Sequence, residues 1–161
     1  MPTSIRKPEE ILAFRTLREL LQGKPRECWT VAPGDSVLKA AQLMDEKNIG
    51  CVVVTENGQP VGILTERDCV RRVMVAGKSA ETTRVADIMV RDIIAVGPDH
   101  TFADCLRLMH RHGIRHLPVL EGRACTGVVS IRDLAAEAVS HHARIISELE
   151  RERLQIFTST V

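Results

Sequence analysis

The chain of 161 residues has no tyrosine, one tryptophan and three phenylalanines. So few rings leave little on which successive bases could stack, which argues against a binder of single-stranded nucleic acid. Charge is also balanced: 22 Lys and Arg stand against 21 Asp and Glu, for a net charge of +1. No global field therefore selects nucleic acid or an acidic partner. No apolar run approaches the roughly 18 residues that a membrane span needs, and the start, MPTSIRKPEEILAF, lacks the apolar centre of a signal peptide. Neither export nor membrane insertion is expected. The five cysteines, Cys28, Cys51, Cys69, Cys105 and Cys125, include no CxxC pair. Their number is odd, and Cys51, Cys69 and Cys105 fall in apolar-periodic segments, where a free thiol acts as a small hydrophobe. A reducing, cytoplasmic setting is the expectation.

What the chain does contain is a repeat. A shift of 65 positions lays residues 31–68 over residues 96–133 without a gap. Ten of the 38 pairs are identical, among them Pro33/Pro98, Met44/Met109, Ile49/Ile114, Gly62/Gly127, Arg67/Arg132 and Asp68/Asp133. Ordinary composition would give roughly two or three. Each copy reads as β-α-β-β-α. A turn ends on a helix-capping hydroxyl, Ser36 or Thr101. A helix follows, with Val37, Ala40, Ala41 and Met44, or Phe102, Cys105, Leu106 and Met109, at helical spacing. Asn48 and Gly113 stand where a left-handed cap is needed. Two short strands come next, Cys51–Thr55 with Pro60–Leu64 and His116–Leu120 with Cys125–Val129, and a second helix opens at Thr65 or Ser130. A strand is expected before each unit, near Trp29–Val31 and Ile93–Val96. Units of roughly 60 residues are marginal alone, so the two copies should pack face to face in one core.

Outside the repeat, Pro8-Glu9-Glu10 suits a helix start. Ile11, Phe14, Leu17, Leu20 and Leu21 would give that helix an apolar face. Residues from Leu134 to about Ile156 read as one long helix. Its stripe of Ile145, Ile146, Leu149 and Ile156 needs a cover, from its own domain or across a dimer seam.

The motif that carries chemistry is an apolar strand followed by Thr/Ser-x-x-Asp at a helix start: Thr65, Arg67 and Asp68 in one copy, Ser130, Arg132 and Asp133 in the other. A helix start offers unpaired N–H groups to phosphate. The hydroxyl can bond phosphate or ribose, the carboxylate can accept from a ribose diol, and the arginine can add a charged contact. The same pattern is also a plain capping box, and both roles can coincide.

The stretches NIGCVVV, GILTERD, IRHLPV and GVVSIRD, with the spacer RRVMVAGKSAETTRVADIM, resemble a tandem cystathionine β-synthase (CBS) domain pair, the Bateman module, over about residues 22–140. The likeness is nearest to the small stand-alone bacterial members. It implies an α/β (α+β) fold in which two pseudo-symmetric units pack sheet to sheet, with flanking N- and C-terminal helices. The corresponding boundaries are 1–22 for the N-terminal helix, 23–80 and 81–140 for the two CBS domains, and 141–161 for the C-terminal extension. It implies an adenosine-derived ligand (AMP, ADP, ATP, NAD(H) or S-adenosylmethionine), a homodimer and a regulated partner protein, with neither nucleic acid nor membrane as a target. In the family, the adenine slot lies between the first and second strands of one unit. That points to Ile93 and Ile94 with His116, Leu117 and Pro118 for the second site, and to Cys28 and Trp29 with Cys51 and Val53 for the first. The second is the favoured site, because the His-Leu-Pro-Val strand fits the family pattern and the first copy departs from it.

Other signals are weaker. His110, His112 and His116 lack a completing ligand and point apart, so no metal is expected. Cys69 and Cys105 lack a recognisable histidine partner, which makes core packing the better reading and an enzyme the poorer one. The leading expectation is a nucleotide-binding regulatory module; the alternative is a dimeric interaction scaffold with empty clefts.

Overall fold

A computed structural model describes residues 14–22 and 28–158 of the chain. The first element is α1 (Leu17–Leu21), which opens on a reciprocal capping box between Thr16 and Glu19. Thr16 is extended, at φ −67° and ψ 162°, and bridges to Thr101. That cap starts the helix at Leu17 and leaves Phe14 outside it. The helix expected from Pro8 is corrected to this extent; residues 8–13, with Ile11, lie outside the described residues.

The first copy follows the expected order. Strand β1 (Thr30–Val31) runs parallel to β2 (Cys51–Glu56), with α2 (Val37–Lys47) between them. Ser36 caps α2, and Asn48 ends it in the left-handed region at φ 51°. Asn57 and Gly58, at φ 50° and 75°, make the tight turn into antiparallel β3 (Gln59–Thr65). Helix α3 (Glu66–Cys69) continues as a π-helical stretch, Val70–Met74. The connecting segment holds α4 (Val85–Ile88), and Val90 beyond it exchanges backbone hydrogen bonds with Ile63 of β3, both 2.9 Å.

The second copy repeats the plan with α5 (Phe102–His112), capped by Thr101 and ended by Gly113, then β4 (His116–Glu121), β5 (Ala124–Ser130) and the long α6 (Ile131–Thr158). Equivalent groups make equivalent bonds. The Glu66 N–H donates to the Gly50 carbonyl at 3.1 Å, and the Ile131 N–H to that of Arg115 at 2.9 Å. One expected element is missing. Ile93–Val96 forms no strand, only a parallel bridge from Val96 to Val119.

Strands β2 and β4 explain the packing. Residues alternate faces along a strand, yet Cys51, Val52, Val53 and Val54 are all buried, as are Leu117, Pro118 and Val119. Val52 and Val54 join Val37, Met44, Leu64 and Ile88 in one apolar cluster. Leu117 and Val119 join Leu17, Leu21, Cys105, Met109 and Leu134 in another. The opposite faces, with Cys51, Val53 and Pro118, meet between the two sheets. The expected single core is therefore two clusters with a sheet-to-sheet seam, because each sheet closes its outer face on its own helices. Among the described residues, no helix is long and apolar enough to cross a membrane.

The repeat-equivalent glycines Gly62 and Gly127 sit in unequal space. A methyl on Gly62 would meet the Met89 sulfur at 2.6 Å and the Val90 carbonyl at 3.1 Å, whereas on Gly127 its nearest neighbour would be Leu21 at 3.7 Å. Gly62→Ala should cost about 1–3 kcal/mol through overpacking. Gly127→Ala should be near neutral, since the loss of unfolded-chain freedom favours the alanine. Urea denaturation of the two variants tests this pair.

Candidate functional site

A cavity of about 340 Å³ opens between the copies. Its lining comes from the β3–α3 junction (Ile63, Thr65, Glu66, Arg67, Asp68), the connecting segment (Val90, Asp92, Ile94), the α5–β4 corner (His112 to His116) and Gly50. The size lies at the lower end of small-molecule sites, which run about 300–1,000 Å³. Ile63, Val90, Ile94 and Ile114 supply apolar wall, and Arg67 and Arg115 supply cationic groups. Among the described residues, neither arginine has an ion-pair partner within 4 Å.

One missing donor shapes this cavity. In the first copy the Val53 N–H donates to the Trp29 carbonyl at 3.0 Å and holds β1 on β2. The residue equivalent to Val53 is Pro118, which has no N–H. The equivalent of Trp29, Ile94, is therefore not bonded to β4. The strand is lost there, pairing resumes only at Val96, and Ile94 lines the cavity. At the positions equivalent to Ile94 and His112 stand Trp29 and Lys47, with the Lys47 ammonium 4.4 Å from the indole centroid.

Both Thr/Ser-x-x-Asp motifs form full capping boxes. The Thr65 N–H and hydroxyl donate to Asp68 Oδ2 at 3.1 and 2.6 Å, and the Asp68 N–H donates back to Thr65 Oγ1 at 3.2 Å. Ser130 and Asp133 do the same at 2.8, 2.9 and 3.2 Å. The cap and a ligand are compatible at Asp68. Oδ2 serves the helix, while Oδ1 lies 3.8 Å from Arg72 Nε.

His116 faces Gly50 across the pseudo-twofold. A methyl on Gly50 would stand 3.0 Å from His116 Nε2, so the glycine gives the imidazole its room. Burial first, then the charges of Arg115, Arg132 and Arg67, hold the His116 pKa below 6.5. The ring is thus neutral at neutral pH.

Of the residues singled out from the sequence, Thr65, Arg67, Asp68, Ile94 and His116 come together here. They come from different copies: the hydroxyl–arginine–aspartate set of the first faces the strand of the second. Ile93, Ser130 and Asp133 do not line this cavity. Arg132 is near enough for its charge to act on His116. Leu117 and Val53 are fully buried, and Cys51 and Pro118 lie in the seam, so none of the four presents a surface to the cavity. Gly50, Asp92, Ile114 and Arg115 were not singled out. The repeat register could have found Gly50 and Arg115, which occupy equivalent positions on the two sides of the axis. Among the described residues, no three His, Cys, Asp or Glu side chains are placed to hold a metal ion.

The model of the CBS domain matches residues 25–75 and 85–140. The chain belongs to the CBS-domain family. As a CBS pair it is 32% identical to the CBS domain-containing protein YhcV of Bacillus subtilis, over 71% of this chain and 81% of that one. It is 35% identical to the mitochondrial CBSX3 of Arabidopsis thaliana, of whose length it spans 58%. A solved CBS-domain protein from Burkholderia ambifaria superposes with a TM-score of 0.76 at 38% identity, covering 78% of this chain and 95% of that one. The CBS pair of protein MJ0100, solved in complex with 5′-methylthioadenosine and S-adenosyl-L-methionine, shares the fold, with a TM-score of 0.67 at 23% identity and coverage of 76% and 94%.

The lowered His116 pKa has a consequence for stability. The unfolded chain takes up a proton near 6.5 while the folded chain resists it, so stability is full above that value and falls as pH drops through it. Between about pH 7 and pH 5, His116→Asn should lose part of the wild-type decline. Denaturant titrations at a series of pH values measure the difference.

Proposed function

We propose that this CBS pair is a regulatory module that binds an adenosine derivative in the cavity between its two copies. The observation that carries the reading is the convergence of Thr65, Arg67 and Asp68 with Ile94 and His116 on one opening of suitable size. Adenine would lie against Ile94, Ile63 and Ile114. The ribose diol would donate to Asp68 Oδ1, and phosphate would meet Arg67 and Arg115. The ligands of the MJ0100 pair support this class. Because the lining comes from both copies, a ligand there favours one relative placement of the two sheets, which is the differential affinity that a regulatory change requires.

A second copy of the chain is the partner that fits the outer face. Val70, Met74 and Val75 are exposed beside the π-helical stretch, as are Val139, Ile146, Leu149 and Leu154 along α6. The first half of α6 is tied to its own domain by Leu134 in the apolar cluster and by the ring contact of His141 with Phe14, centroids 4.0 Å apart. Among the described residues, Ile146 and Leu149 further along α6 are half or more exposed, which favours pairing between copies. The regulated protein would then read the ligand through this assembly.

Thermal shift and calorimetry with AMP, ADP, ATP, NADH and S-adenosylmethionine test the first reading. A bound ligand at about 100 times its Kd should add roughly 2.7 kcal/mol, several degrees in Tm. Arg67→Ala and Asp68→Asn should each weaken binding roughly 10- to 100-fold, the scale of a charged hydrogen bond, with Asp133→Asn leaving this cavity's affinity unchanged. A flat response to every compound would sink the reading. For the dimer, Ile146→Asp with Leu149→Asp should shift the sedimentation coefficient to that of a monomer.

A further inference from the structure

Three of the five cysteines converge on the seam, from three elements far apart in sequence. Cys28 lies just before β1, Cys51 opens β2 and Cys125 lies in β5. The Cys28 thiol donates to Cys125 Sγ at 2.7 Å, across 97 positions and between the two copies. Both are half-buried, whereas Cys51 and Cys105 are buried and Cys69 lies on α3. The repeat register places Ile93 opposite Cys28 and Pro60 opposite Cys125, so no thiol pair stands at the equivalent place in the other half. This sulfur contact belongs neither to an apolar cluster nor to the cavity.

We propose that Cys28 and Cys125 are a redox-active dithiol, oxidised by a hydroperoxide to a disulfide that locks the first copy to the second. The contact with Cys28 lowers the Cys125 thiol against the effect of burial, while the same contact and burial raise Cys28. Cys51 and Cys105 are pushed up to about 12 and about 11, mainly by burial, which leaves Cys125 as the nucleophile. Its thiolate attacks one peroxide oxygen. The S–O bond forms, the O–O bond breaks, and the departing hydroxide leaves as water with the thiol proton. The Cys28 sulfur then attacks the Cys125 sulfur. The S–S bond forms, the S–O bond breaks, and the hydroxyl leaves as a second water with the Cys28 proton. Two thiols lose two hydrogens and one hydrogen peroxide becomes two waters. The bond spans the seam that the proposed ligand response moves, so oxidation would fix one relative placement of the two copies.

The test uses the full chain treated with stoichiometric hydrogen peroxide, alkylated, digested without reduction and read by mass spectrometry. The expected product joins the Cys28 and Cys125 peptides within one chain, with a loss of about two mass units that dithiothreitol reverses. The oxidised chain should melt about 5–10 °C higher, since a loop of this length is closed. Cys28→Ser should instead trap a sulfenic acid at Cys125, detected with dimedone, and the wild-type cross-link stands as evidence even if that variant fails to fold. Oxidation that falls first on another cysteine, over-oxidation of Cys125 without a cross-link, or a disulfide only between chains would overturn the assignment.

Discussion

The structure depends on two strands that must be buried on both faces. Four consecutive apolar residues of β2 and three of β4 leave neither face of these strands to water. An antiparallel hairpin with one dry face would be satisfied by its own helices. A hairpin dry on both faces needs a second sheet, and the chain supplies it by repeating itself 65 positions later. Pseudo-symmetric packing of the two halves follows, because equivalent surfaces meet equivalent surfaces around a shared axis. The unequal features of the molecule are departures from that symmetry.

Pro118 is the most consequential departure. Replacing one N–H in the second copy unzips the strand before α5 at Ile94 and leaves that residue to line a cavity. The equivalent place in the first copy keeps its bond from Val53 to Trp29 and holds a larger side chain, covered by Lys47. A single absent donor therefore differentiates two architecturally equal halves. The capping boxes do not differ in the same way. Both Asp68 and Asp133 hold their helix starts, and at Asp68 the cap uses Oδ2, which leaves Oδ1 for the proposed ligand contact.

The thiols follow a related logic. Cys51 occupies the place of His116, so one side of the axis carries an imidazole held neutral by burial and by arginines, and the other a buried thiol beside a reactive pair. These groups sit at the seam, where a small displacement of one sheet against the other changes their surroundings more than it changes either apolar cluster. Regulation by ligand and by oxidation would act on the same degree of freedom.

The repeat, its register, the caps at Ser36 and Thr101, the left-handed stops at Asn48 and Gly113, the hairpin turns and the long α6 are all legible in the order of the amino acids. All of these rest on neighbours within a few positions, where hydrophobic period and backbone chemistry leave little choice. The start of α1 was legible as well, in the local Thr16-x-x-Glu19 capping box, but the apolar spacing that runs back to Ile11 hid it. Tertiary structure alone decided which motif meets which strand. The sequence joins Ser130, Arg132 and Asp133 to the His116 strand of their own copy, where Ser130 pairs with His116, and the crossing of the two sheets brings that strand to Thr65, Arg67 and Asp68 of the other as well. It also brought Cys28 to Cys125 across 97 positions. Contacts made by symmetry between distant segments carry no local signature, so only the packing of the two doubly buried strands could reveal them.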